Sequence, residues 1–190
     1  YSGISKDPMW IAAFEAAGIT QTPDNGFGAT PLTRYRRHIL VLHPDIVVIY
    51  DELEAREAVR WERLLHSPTE FDIDSNSHTV VTRNTEKAFT ATTRLFSNEQ
   101  IGLSQTDLFT VPPLGSSGAL YPNQWHLTAR IEGQAKNRIL AIIQLKSDND
   151  TPVKIQQNGN ILTCGYWTIE AELDASLPAM LNATHSMKKS

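Results

Sequence analysis

The chain has 190 residues, a net charge of −4, and a hydrophobic fraction of 41%. Those values suit one ordinary globular domain with a single core. They exclude nucleic-acid binding through a basic surface, and no apolar run approaches the ~18 residues that a membrane-spanning helix needs.

Residues 7–18 read as the one clear helix. Asp7 suits the N-cap, Pro8 the first helical position and Gly18 the exit. Met9, Trp10, Ile11, Ala12, Ala13 and Phe14 make it apolar nearly all round, so it is expected to be buried, against the sheet or against a domain that precedes Tyr1. Residues 19–33, with Pro23, Gly26, Gly28 and Pro31, read as a loop.

The stretch Arg36–Asp51 reads as a hairpin. Ile39–Leu42 and Ile46–Ile49 are two apolar runs, and His43-Pro44-Asp45 between them suits a type I turn. Neither run alternates, so the hairpin is expected at the centre of its sheet with both faces covered. Arg34, Arg36 and Arg37 lead into it and read as residues solvating a sheet end. Glu52–Glu57 reads as a charged connection, and Val59–His66 as a half-buried strand ended by Ser67-Pro68.

Residues 70–82 and 87–96 predict two or three further strands. Asp72–Asn76 opens like a calcium loop, but Ser77 and Arg83 stand where such a loop needs Gly and Glu, so it reads as an acidic turn. Residues 97–124 form a long polar segment that hides at most a short strand near Gln105–Val111. Trp125–Ile131 alternates clearly, Glu132–Lys136 reads as a turn around Gly133, and Arg138–Leu145 as a strand apolar on both faces at its centre. Asn158-Gly159 signals a hairpin, with Ile161–Cys164 and Tyr166–Leu173 as its strands. Residues 176–190 read as a flexible tail. With about nine to eleven strands, the expected fold is an all-β, antiparallel two-sheet β-sandwich over residues 1–175, with one short N-terminal helix.

Chemistry is sparse. Cys164 is the single cysteine, which excludes an internal disulfide and any cysteine-based zinc site. None of the six histidines pairs with another at a helical metal-binding spacing, and His43 and His66 read as hydrogen-bonded rim residues in preference to metal ligands. No nucleophile elbow, phosphate loop or dinucleotide glycine pattern occurs. Tyr121 and Trp125 are candidates for stacking on a sugar ring, although Trp125 is in register with Leu127 and Ile131 and so also reads as core.

Two segments carry a family resemblance. Arg36–Asp51 resembles the "R-x-hydrophobic run-x-P-D-hydrophobic run-x-D" hairpin of heparinase II/III-like polysaccharide lyases, and Val59–His66, with Trp61 and Leu64-Leu65-His66, resembles the strand that follows it there. The resemblance implies the C-terminal β-sandwich of such an enzyme, preceded in the same polypeptide by a helical toroid as its partner domain. The absence of an initiator Met agrees with a piece of a longer chain. It also implies an acidic, uronate-containing polysaccharide as the substrate, cleaved by β-elimination, and a periplasmic or secreted location. A divalent metal belongs to the parent protein in this picture, with no cofactor in this portion. The elimination needs a base, usually Tyr or His, and a group that neutralises the uronate carboxylate. This chain lacks the family's H-x-D-type motif ahead of the hairpin, so no catalytic residue carries over. Tyr35, Arg37 and His66 are the positions to test, and the portion alone is expected to be inactive. The two other readings are a carbohydrate-binding sandwich centred on Tyr121 and Trp125, and a purely structural domain.

Overall fold

The computed structural model describes residues 6–25, 27–84, 87–108, 123–147 and 150–186. The chain divides into two compact units, Tyr1–Thr33 and Arg34–Ser190.

The first unit contains helix α1 (Pro8–Ala16). Asp7 caps it, accepting a hydrogen bond from the Met9 amide at 2.9 Å, and Gly18 leaves it with a φ of 68°. A left-handed exit of this kind costs glycine little. Phe14 meets Phe27 edge-on, with ring centroids 5.2 Å apart. Within this chain no residue of α1 is buried, and Met9 and Trp10 are 66% and 53% exposed.

The second unit is all β. β1 (Leu32–Leu42), β2 (Ile46–Ser67), β3 (Asp72–Asp74), β4 (Thr79–Asn84), β5 (Phe89–Phe96), β6 (Gly102–Thr106) and β7 (Trp125–Ser147) form a seven-stranded sheet. Its order is β1-β2-β7-β5-β4-β3, with β6 pairing separately to β7. β8 (Ile155–Asn158), β9 (Ile161–Cys164), β10 (Trp167–Ala171) and β11 (Leu181–His185) form a four-stranded sheet in the order β11-β10-β9-β8. The antiparallel sandwich expected from the sequence is the fold observed.

The main core lies between the two sheets. Val48, Tyr50, Leu140 and Ile142 of the larger sheet pack on Leu162, Cys164, Ile169 and Ala171 of the smaller, all at 0% exposure. Each aliphatic chain so buried contributes about 1.5–3 kcal/mol relative to remaining exposed. On the opposite face of the large sheet, Leu53, Leu95, Ile139 and Ala141 pack on Ala129, Ile131 and Ile101. Residues of β2 and β7 thus pack on other parts of the same two long strands and their neighbours.

That packing requires a bend, and the register supplies it. β2 and β7 pair from Ile46↔Gln144 to Ser67↔Trp125, with shifts between Glu54 and Val59 and between Val59 and Trp61. Ala55–Ala58 oppose Ala135 alone, and Glu132-Gly133 oppose Arg60 alone. Gly133 has a φ of 69°, the left-handed value of a glycine bulge. The expected connection at Glu52–Glu57 and turn at Glu132–Lys136 are therefore facing irregularities in two continuous strands.

Other expectations are corrected. The hairpin is not central as a whole: β2 lies between β1 and β7, but β1 ends the strand order, and Ile39 and Val41 are 58% and 64% exposed. Leu42 is buried and Leu40 half-buried against the smaller sheet, so only one face of β1 is covered. The His43–Pro44 peptide bond in the turn between β1 and β2 is cis. The Asn158-Gly159 signal marks the turn from β8 into β9, with Asn158 ending β8, and Gly165-Tyr166 turns β9 into β10, so the two expected strands are joined by a different turn. Leu181–His185, within the stretch read as a tail, pairs with β10 from Leu181↔Ala171 to His185↔Trp167. Asp74 does make a tight acidic turn, accepting hydrogen bonds from the Asn76 amide and the Ser77 hydroxyl.

Candidate functional site

Alternation along β1 sends Arg34, Arg36 and His38 to one face and Tyr35 and Arg37 to the other. β2 sets an acid against each group, Glu52 on the first face and Asp51 on the second. The two faces have different characters.

On the Asp51 face the charges are locked together. Arg37 donates Nε and Nη2 to Oδ1 and Oδ2 of Asp51, at 2.7 and 2.8 Å. Arg63, 5% exposed, donates Nη1 to Oδ2 at 2.8 Å. The hydrogen bond to Asp51 raises the Arg37 pKa, while burial lowers that of Arg63. The Arg37 guanidinium also lies 5.5 Å from the centre of the Tyr35 ring. The structure therefore brings two of the sequence candidates together, but commits Arg37 to Asp51. His66 is elsewhere. It is exposed at the far end of β2, opposite His126 in register, with ring centroids 5.1 Å apart.

On the Glu52 face lies an open groove of about 600 Å³, lined by Arg34, Arg36, His38, Tyr50, Glu52 and the segment Pro178–Leu181. Glu52 is 2% exposed, and its Oε1 is 2.6 Å from His38 Nε2. Arg36 Nη1 stands 3.7 Å from Oε1, and Arg34 Nη1 stands 3.7 Å from Oε2. Arg34 also reaches Glu54, at 3.5 Å. Arg138, opposite Glu52 in register, is 3% exposed, and its Nε and Nη1 have no hydrogen-bond partner among the described residues. Burial alone would raise the Glu52 pKa. The hydrogen bond to His38 and the charges of Arg138 and Arg36 outweigh it and hold the carboxyl below its ordinary value.

The hydrogen bond between Glu52 Oε1 and His38 Nε2 fixes the imidazole and leaves Nδ1 as the ring's other polar atom. Arg34 and Arg36 keep much of their side chains in solvent beside it. The groove thus offers a fixed imidazole and cations able to meet a carboxylate. Tyr50 takes no such part. It is fully buried, its hydroxyl donates to the Glu172 carbonyl at 2.6 Å, and burial pushes its pKa up.

Trp125 is half-buried against the cluster of Phe71, Val80 and Leu127, and Tyr121 lies outside the described residues. Among the described residues no three His, Cys, Asp or Glu side chains are grouped to hold a metal ion. His38 and Glu52 line the groove and Arg138 stands opposite Glu52 in register, yet the sequence alone singles out none of the three. The readable signal was the spacing of two between Arg34, Arg36 and His38.

No family model matches the chain, and no curated protein matches it. Solved structures do resemble its fold. The heparan sulfate lyase HepC from Pedobacter heparinus aligns over 100% of this chain and 34% of its own, at a TM-score of 0.53 and 9% identity. A heparinase III aligns over 82% of this chain and 24% of its own, at 0.52 and 16% identity. A second heparinase III, with methylated lysines, aligns over 83% and 24%, at 0.51 and 14% identity. The chain therefore has the fold of one part of these lyases, in agreement with the resemblance seen in its hairpin, and spans a quarter to a third of their length.

Proposed function

We propose that this chain is the β-sandwich portion of a polysaccharide lyase acting on acidic, uronate-containing glycans by β-elimination. In this reading the Glu52 face of β1 forms one wall of the substrate cleft. The observation that carries it is the pair Arg34 and Arg36 beside His38, on an outer strand of a fold shared with heparin-type lyases. β-Elimination begins with loss of the proton next to the uronate carboxylate. A cation against that carboxylate makes the proton more acidic, and a positioned base removes it. Arg34 and Arg36 supply the first group. His38 Nδ1, with its ring held by Glu52, is placed to receive or relay the proton.

A helical partner domain in the same polypeptide supplies the remaining groups and the opposite wall, so the sandwich supports that domain and is inactive alone. Acidic polysaccharides of this kind are met in the periplasm or outside the cell, so on this reading the protein works there. Incubating the 190-residue chain with heparan sulfate should bind the glycan without forming unsaturated uronate, read by its ultraviolet absorbance. Product formed by the chain alone, at a rate that survives purification to constant activity, contradicts the supporting role.

A further inference from the structure

A second, smaller cavity lies at the opposite end of the hairpin from Arg34. It holds about 220 Å³ and is lined by the turn His43-Pro44-Asp45, Lys146 of β7, the turn residue Tyr166, Trp167 of β10 and His185 of β11. Three rings form one side of it. His185 meets Trp167 edge-on, with centroids 4.8 Å apart, and Tyr166 lies 6.1 Å from His185. Tyr166 is 55% exposed, an unusual placement for a large ring at a two-residue turn, where small polar residues serve the backbone.

The other side carries an ion pair between Lys146 and Asp45. Both side chains keep about a fifth of their surface exposed, at 18% and 21%, so they retain donors and acceptors for a third group. The walls are fixed in advance. The Trp167 indole N–H donates to the His43 carbonyl at 3.1 Å, and the Ser186 amide donates to the Tyr166 carbonyl at 2.7 Å. Cys164 lies fully buried in the floor, where burial pushes its thiol up to about 11, so the floor is uncharged at neutral pH.

We infer that this cavity binds a single neutral pyranose residue. A pyranose presents an apolar C–H face that matches an exposed aromatic ring, and a rim of hydroxyls that each donate and accept. Tyr166 offers the ring, Asp45 accepts from one hydroxyl, and Lys146 donates to the next. The ammonium and carboxylate cancel, so the site carries no net attraction for an anionic sugar, unlike the arginine-bearing groove. The volume is that of one ring-sized ligand. A preformed pocket of this kind binds without the ordering cost of a flexible loop. The inference stands independently of the lyase reading, because it uses neither the β1 groove nor a partner domain.

The test is an amide NMR titration of the whole chain with the methyl glycosides of glucose, galactose, mannose and N-acetylglucosamine. The expected result is a saturable shift of the Tyr166, Trp167 and His185 resonances with at least one sugar, equal at low and high salt. Tyr166→Ala should weaken that binding at least tenfold while leaving the melting temperature unchanged, since the ring is exposed. Asp45→Asn should weaken it with the ring wall intact. No shift at these residues with any of the four sugars overturns the proposal. So does a shift that survives Tyr166→Ala, or one that appears only with sulfated sugars and disappears with salt.

Discussion

Asp51 is 2% exposed and accepts hydrogen bonds from two arginines that come from different parts of the unit. Arg37 lies on β1, and Arg63 on β2 beyond the bend. Asp51→Asn leaves the Arg63 charge buried with a weaker partner, and breaking a buried pair this way costs about 3–5 kcal/mol. Urea denaturation should show that loss, and Asp51→Leu combined with Arg63→Met should lose less than Asp51→Asn alone, because no buried charge is stranded. Glu52 acts through pH instead. Its folded pKa lies below the ordinary value of 4.5, so its contribution is fully present above that value and is lost as pH falls through the folded value. Stability measured from pH 7 downward should therefore decline more gently below about pH 4.5 in Glu52→Gln than in the parent chain. An unchanged slope would mean that His38 and the arginines do not hold the carboxylate.

Among the elements, the bend in β2 and β7 shapes the unit. Gly133 sits in it with positive φ, and a Cβ added there meets nothing within 4 Å. The cost of Gly133→Ala is therefore backbone strain alone, about 1–2 kcal/mol. Gly102→Ala serves as the control. Its φ is not positive, and its nearest contact would be an ordinary 3.9 Å from the Arg130 carbonyl, so the loss there should be smaller. Equal losses at the two positions would remove the bulge from the account. The sequence signals here are real, but taken alone they read as breaks. Charged Glu52–Glu57 and the Gly133 segment both interrupt apolar alternation, and composition does not separate a chain that turns back from one that bulges and continues. The distinction depends on what lies opposite, and the two irregular stretches lie opposite each other. The alternation of Trp125–Ile131 is legible because local chemistry decides it, whereas the Asn158-Gly159 signal belongs to the β8–β9 hairpin, whose first strand reads as a polar segment.

For the molecule as a whole, the antiparallel two-sheet class is readable from the chain, while the place of β1 is not. An apolar run reads the same at a sheet's centre and at its margin, and Ile39 and Val41 show that one face of this run is left open. The groove was half legible for a similar reason. Arg34, Arg36 and His38 share a face by spacing, but Glu52 becomes their partner only through pairing of the two strands across the His43–Asp45 turn, and Arg138 only through the β2–β7 register. The central claim is that this face meets an acidic polysaccharide. Its most direct test is the affinity of the whole chain for a heparan sulfate oligosaccharide as a function of salt, compared with Arg34→Ser/Arg36→Ser. The account predicts affinity that falls with rising salt and drops by about an order of magnitude in the double variant, with the shallower salt slope expected when surface cations are removed. Affinity and slope unchanged by the two substitutions would contradict it.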